Sequence, residues 1–549
     1  MKRKSFSLFF ALTAFCVVFS CTSDDTAESD TSKRTDVPEG RTKTDTVYVR
    51  ETVYEHDTVY VPDTIVVEDT EPRILEFQLL ASQNSTVLIE NVNCEIVGDS
   101  LIEGWIPHLT QDKLLIPHFK SVGKVSYNNS PVLSDTTTVD FADPVVLRVD
   151  DGAATKTYKV LIHAYTGLPV CWIETASRKD YISKTADVNA HMTIKKDVVT
   201  RSSYDLFDED IKLRGRGNST WDLPKKPYRF ELSYKESILD MPAGKMWALL
   251  ANYADKTMLR NRVANNFGYL SRLAYTPRTR FVEVWLNGMY NGTYLLSEKL
   301  TFSKDRINIG EDGYLLEIDA YAKNEATSRC IYTKRLTQPI NIKHPQVQYG
   351  DQKFNQAKQI VLEAESALYG SSFKDEEKGW RHYFDEEAMV DWYIINEISK
   401  NWDAVRWSST FMTWVPGEKI VMGPIWDFDI AFGNANSGGD GCDSRPEGFH
   451  VKEQPWISRL FEDPYFVQLV KDRYQYFYSK KSAIMSEINA DANYLRLAAQ
   501  ENDNKWQTLY IHTWRNRDVW GAYYNEVEYL KEWLDVRMDW LKKEFDDMR

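Results

Sequence analysis

Apolar positions change period along this chain, and the change divides it. After about residue 353 they recur every three or four residues. Near the end Leu530, Trp533, Leu534, Met538 and Leu541 mark one face of a predicted helix. From Pro169 to about residue 345, short alternating runs separated by turn residues predict strands. Phe281–Leu286 and the run ending at Glu298 flank Asn287-Gly288, a hairpin signature, with Asn291-Gly292 just beyond. One helical insertion interrupts this half. There Leu259, Val263, Phe267 and Leu270 share a face, with Asp255 in the N-cap region. Residues 73–167 read as a separate all-β unit, in which Val145–Val149 and Tyr158–Ile162 surround Asp150-Asp151-Gly152. Its size and short strands suit an immunoglobulin-like sandwich. The predicted class is α+β: the sandwich, then a two-lobe region over 168–549 with a β-rich first half and an α-rich second half. Protein kinases share that layout, although fold class by itself assigns no function.

The N-terminus carries a different pattern. Lys2, Arg3 and Lys4 precede an apolar stretch from Phe6 to Phe19, then Ser20-Cys21. This predicts a signal peptide over 1–20, too short to span a membrane as a mature helix. Val18-Phe19-Ser20-Cys21 resembles a lipobox, which makes Cys21 the lipidated mature N-terminus. The acidic Ser23-Asp24-Asp25 is similar to a surface-export tag, so an outer-membrane or cell-surface lipoprotein is expected. The alternative is an ordinary secreted protein with a chance cysteine. Residues 22–44 are too polar to bury a core. A six-residue repeat follows, from Asp45-Thr46-Val47-Tyr48 to Asp63-Thr64-Ile65-Val66. An even period presents the same side chains to the same side of an extended chain. Residues 21–72 thus read as a linker and stalk, the alternative being a self-pairing β-segment.

Composition narrows the function. The 549 residues hold 81 acidic and 67 basic side chains, a net charge of −14. That balance excludes generic nucleic-acid binding, which needs a basic field. Beyond Cys16 and Cys21 stand Cys94, Cys171, Cys330 and Cys442, too far apart for a CxxC zinc site; an oxidising compartment would allow three pairings among them. The nine histidines form no HExxH, so a zinc hydrolase is not expected.

Two segments carry candidate chemistry. In Arg214-Gly-Arg-Gly-Asn-Ser-Thr-Trp221, followed by Pro224-Lys-Lys-Pro227, glycines permit close backbone approach to a ligand. Arg214, Arg216, Lys225 and Lys226 add positive charge, and Asn218 adds a polar group. Lys226 begins a predicted strand, the arrangement that holds nucleotide phosphates in kinase-type sites. The alternative is a surface hairpin with solvated charges. Strands ending in Glu298 and in Glu317-Ile-Asp319 would line a hinge where an adenine ring inserts, or else form a meander with edge acids. In the helical half, Asp403 precedes a predicted hairpin, Thr410–Trp414 and Lys419–Met422, and Trp426-Asp427-Phe428-Asp429 follows it. This is the spacing logic of a kinase catalytic loop and its metal-binding segment. Phosphoryl transfer needs one Asp near the attacking hydroxyl and another on magnesium. Buried, hydrogen-bonded acids at element ends are the alternative.

These motifs, with Leu249-Leu-Ala-Asn-Tyr-Ala-Asp-Lys256, Val284–Glu298 and Gly423–Asp429 in the same order, resemble the CotH family of secreted, atypical protein-kinase-like proteins. The resemblance covers about residues 168–549. It implies a kinase-like fold using ATP and Mg2+, with Asp403 as the catalytic-loop acid and Asp427 as the metal-binding acid. It also implies that Lys226, or in second place Lys225, contacts phosphate. Kinase-like loops carry an Asn five residues after the catalytic Asp. Here that position is Ser408, a weaker magnesium ligand, so Asp429 is expected to supply the missing charge. Three functions follow: a kinase acting on an unidentified exported or surface protein, held to a membrane only through its lipid; a catalytically weak or dead surface-binding or adhesion module; or a glycan-handling lipoprotein that uses Trp402, Trp407, Trp414 and Trp426 beside the acids.

Overall fold

The computed structural model describes residues 71–549 except 86–87, 89–90, 108–112, 179–181, 196–204, 326, 436–442, 514–515, 517 and 549. The signal peptide, Cys21, Cys442 and nearly all of the stalk therefore lie outside the described residues. The fold is mixed α+β with a β-rich N-terminal part.

Two larger sheets and a two-stranded ribbon, Leu114–Leu115 with Val139–Asp140, build residues 73–165. Arg73–Leu79 is central in a three-stranded sheet, flanked by Val92–Asn93 and Pro117–Val122. The second sheet has six strands. Its Thr155–Tyr165 strand pairs antiparallel with Val145–Asp150 and parallel with Leu101–Pro107. The Val145–Asp150 strand alternates as its sequence predicts, with Val145, Leu147 and Val149 all buried. Its turn is fixed by Asp151 Oδ1, which accepts from the backbone N–H of Ala153 and Ala154. Phe77, Phe119 and Phe141 join these residues in one core. Aromatic rings carry this unit onto the next. The buried His163 ring lies 4.4 Å from Trp105 and 4.5 Å from Trp285, and Trp105 lies 5.5 Å from Trp172.

Seven strands then close a barrel. In chain order they are Val170–Thr175, Val188–Lys195, Asp205–Gly215, Tyr228–Ile238, Met241–Leu250, Thr279–Leu286 and Met289–Glu298. Closure comes from parallel pairing of the first strand with Thr279–Leu286, Val170 opposite Glu283. Ile173, Met192, Leu213, Phe230, Trp247 and Val284 fill the interior. Cys171 is a free buried thiol there, and burial pushes its pKa up. The Asn287-Gly288 turn takes positive φ at both residues (51° and 78°), which matches the twist of a tight hairpin.

The barrel leads to a five-stranded sheet and a helical region. Tyr314–Ile318 is the middle strand, between Ile340–His344 and Thr410–Trp414. Some of the helices begin at acidic caps: Asp351 Oδ1 accepts from Phe354 N (2.6 Å), and Asp385 Oδ1 from Ala388 N (2.8 Å). The final helix, Tyr523–Asp547, buries Leu530, Trp533, Leu534, Met538 and Leu541, the face its spacing predicts. The inserted helix runs over Arg260–Tyr269, later than its apolar face alone suggests. Asp255 is not its N-cap. It sits before the helix, fully buried, with Oδ2 accepting from Arg260 N (2.8 Å) and Oδ1 from Arg260 Nη1 (2.6 Å). Among the described residues no helix is long and apolar enough to cross a membrane.

The helical region is locked by Arg537, which is fully buried with Glu397. Its guanidinium donates to Glu397 Oε1 (2.7 Å) and to the carbonyl oxygens of Glu397, Pro446 and Gly448. Removing one member of such a pair leaves an uncompensated buried charge and costs about 3–5 kcal/mol. Arg537→Met should therefore lower unfolding stability by that amount in urea denaturation. A loss below about 1 kcal/mol would show that the lock is dispensable.

Candidate functional site

The Asp205–Gly215 strand ends in a turn built from glycines. A Cβ on Gly215 would stand 2.1 Å from the Trp221 ring, and Gly217, at φ +90°, would place one 2.2 Å from Thr220 Oγ1. The chain thereby folds flat against Trp221, and Arg216 N donates to the Pro227 carbonyl. The Arg216 guanidinium stands 5.5 Å from the Trp426 ring centre. Nearby, Lys225 is buried: its Nζ donates to the Thr293 carbonyl and to Asn502 Oδ1 (2.7 Å), 4.4 Å from the Tyr294 ring. Burial draws its pKa well below the ordinary lysine range, against the opposing pull of Glu283.

The facing wall comes from two loops. The first leaves the Glu386–Ile398 helix, where Asn401 Nδ2 donates to Asn396 Oδ1 (3.0 Å) and Asn401 Oδ1 accepts from Asp403 N (3.3 Å). Trp402 is held between the stacked His450 ring (4.7 Å) and the Arg406 guanidinium (4.1 Å). Val405 adopts φ 62°, a strained region for a β-branched residue that costs on the order of 1–3 kcal/mol. Its N–H is satisfied by Thr410 Oγ1 (2.8 Å). The second loop follows the Thr410–Trp414 and Val421–Met422 hairpin and carries Asp427, also at positive φ (70°). Phe428 N donates to Asn261 Oδ1 (2.8 Å), which ties this loop to the Arg260–Tyr269 helix.

Between the walls lies a cavity of about 270 Å³, lined by Arg216, Asn218 and Lys225 on one side and by Asp403, Ser408, Asp427 and Asp429 on the other. The model of the CotH kinase protein family matches residues 213–541. This chain belongs to the CotH family. Among solved structures, it is similar to a "putative glycoside hydrolase" from Bacteroides thetaiotaomicron VPI-5482, at 13% identity, covering 53% of this chain and 88% of that one, with a TM-score of 0.17. That TM-score is too low to carry a functional comparison. No curated protein matches the chain.

In this CotH chain the acids crowd one another. Burial raises the Asp427 pKa, with Arg216 and the Ser409 hydroxyl opposing. Asp429 is held well above the ordinary carboxylate range, first by burial and then by Asp427, Asp403 and Asp255. Among the described residues no three His, Cys, Asp or Glu side chains are arranged to hold a metal ion by themselves. Two desolvated, mutually repelling carboxylates still fit a hard cation that takes its remaining oxygens from a ligand or water, the habit of magnesium.

Two expected residues stand elsewhere. Lys226 Nζ donates to the Trp221 carbonyl (2.8 Å), close to the Trp221 ring, and does not line the cavity; Lys225 takes that wall. Glu298 is fully buried away from the cavity, accepting from Tyr275 Oη, Arg278 N and Arg278 Nη1 and pairing with Arg306 (3.5 Å). It is the centre of a buried ion-pair cluster and does not line the cavity. Sequence reasoning missed Asn261 and Ser409, which carry no motif signal. It noticed the strand of Glu317 without selecting that residue. Glu317 lines the cavity, and burial pushes its pKa up to about 7 against the Lys343 charge.

The raised acids set a sign for stability. A carboxyl whose pKa is higher in the folded state binds its proton more tightly there, so folded stability falls as pH rises through the window. For Glu317 that window runs from 4.5 to about 7, and Asp427 and Asp429 act in the same direction. The unfolding midpoint of ligand-free protein should fall between pH 5 and pH 7.5. Asp429→Asn should flatten the fall and raise the midpoint at pH 7.5 by about 2–4 °C in calorimetry. An unchanged slope in Asp429→Asn would contradict the repulsion.

Proposed function

We propose that this protein is an exported phosphotransferase that uses ATP and Mg2+ to phosphorylate a hydroxyl of an exported or surface protein. The observation that carries the reading is the placing of basic and acidic side chains around one cavity, with Arg216 and Lys225 facing Asp403, Asp427 and Asp429. Membership of a family described as kinase protein supports it. A finer architecture goes with the reading, in which residues 73–167 form an immunoglobulin-like spacer and 168–549 divide into two kinase-like lobes around the cavity.

Arg216 would draw the polyphosphate to the barrel side, with Lys225 lining the same wall. Asp427 and Asp429 would hold magnesium, with Ser408 beside them. When bound, the ion would neutralise charge on the phosphate oxygens and fix their geometry. Asp403, half-buried at the end of its loop, would orient the acceptor hydroxyl and take its proton. Export, attachment to a membrane and a cell-surface position rest on the basic and apolar signal pattern, the Val18-Phe19-Ser20-Cys21 lipobox and the acidic Ser23-Asp24-Asp25 that follows.

Calorimetry of the full chain with ATP, with and without magnesium, should show magnesium-dependent heat. Asp427→Ala should abolish it and Asp429→Asn weaken it. Asp403→Ala should leave binding intact and reduce transfer from labelled ATP by about 10²–10⁴-fold. Absence of magnesium-dependent heat at millimolar ATP would remove the catalytic reading. Separately, Cys21→Ala should shift the protein out of the membrane fraction; unchanged fractionation would remove the anchor.

A further inference from the structure

The phosphotransfer reading leaves the fourth acid of the cavity without a task. Glu317 stands on the middle strand of the five-stranded sheet, opposite Asn341 on one side and Phe411 on the other. It is 6% exposed. Its Oε2 pairs with Lys343 Nζ (2.9 Å), which also reaches Asp319 Oδ2 (3.4 Å). Its Oε1 accepts from Ser409 N (3.0 Å), and Ser409 Oγ in turn donates to Asp427 Oδ2 (3.4 Å). Ser409 and Asp427 are both non-glycine residues at positive φ, 61° and 70°, a conformation that persists only where surrounding bonds hold it. The sheet therefore reaches Asp427 through two consecutive hydrogen bonds.

We propose that Glu317 is a positioning residue for the Asp427 carboxylate, acting through Ser409, with Lys343 as its counter-ion. A rigid strand is a better anchor for a metal-binding group than the loop that carries it. Partners bonded directly to a metal-binding group, the place Ser409 takes here, typically govern metal affinity by 10–100-fold, and Glu317 acts through that bond. The proposal rests on the magnesium-nucleotide reading for its first test and stands without it for the second.

The first test titrates magnesium into full-length protein at fixed ATP. Glu317→Ala should weaken the magnesium dependence by about 10–100-fold and leave metal-free ATP affinity within about twofold. Glu317→Gln keeps an acceptor oxygen for Ser409 N–H and should recover part of the loss. Ser409→Ala should weaken magnesium dependence in the same direction, and the double variant Glu317→Ala with Ser409→Ala should be no worse than Glu317→Ala alone. Losses that multiply, or a change below threefold in Glu317→Ala, would overturn the relay while leaving the phosphotransfer reading intact. If wild type shows no magnesium-dependent binding, that reading falls and the second test decides the relay. It compares unfolding midpoints of ligand-free wild type, Glu317→Gln, Asp427→Asn and the double variant. Midpoint shifts that fail to add support the relay, because the two residues share one chain of bonds. Shifts that add refute it.

Discussion

The Asp403 side of the cavity depends on one buried charge pair, Glu397 with Arg537. Glu397 ends the helix from which the Asp403 loop departs, and Arg537 lies on the final helix. Neither charge touches water, so every polar atom must be answered by protein. Glu397 Oε1 also accepts from His450 N and Oε2 from Lys452 N. Arg537 meanwhile gathers the carbonyls of Pro446 and Gly448. One pair thus fixes two helices and the 446–452 segment at once. His450, placed by this lock, stacks on Trp402, the neighbour of Asp403. A buried pair adds little net stability over apolar packing, but it does not tolerate displacement of either partner. Its contribution here is geometric.

The cavity is the opposite kind of construction. Its acids repel one another, and Val405, Ser409 and Asp427 hold left-handed backbone without being glycines. Local consistency is given up at this place and recovered by the packed core around it, a pattern expected of sites rather than scaffolds. Asp255 and Arg260 show the same division of labour. Their fully buried pair organises the start of the Arg260–Tyr269 helix, whose next residue, Asn261, then holds Phe428.

What the sequence revealed followed from how local each signal was. The final helix, the Asn287-Gly288 hairpin and the Val145–Asp150 turn depend on residues a few positions apart, and all were legible. The association of Asp403 with Asp427 was legible too, because only one hairpin separates them. Barrel closure was not, since it joins Val170 to Glu283 by a parallel pairing that no short window contains. The choice between Lys225 and Lys226 failed for a related reason. Adjacent residues face different surroundings, and which of them meets the cavity is decided by Thr293 and by Asn502 far along the chain. Glu298 read as a hinge acid because Arg278 and Arg306, which claim it, leave no pattern in the strand itself.

The contact between Lys225 and Asn502 bears on the order in which the molecule is made. Asn502 lies in the Lys481–Trp506 helix, beyond the acidic loops, and its Oδ1 both accepts from Lys225 Nζ and meets Thr293 N. During synthesis the barrel and the acidic loops emerge first, and the partner that fixes the lysine emerges after both. A chain still being built holds the parts of the cavity without the bond that sets their cationic side. Assembly of this wall therefore waits for a residue made long after the barrel strands that flank the lysine.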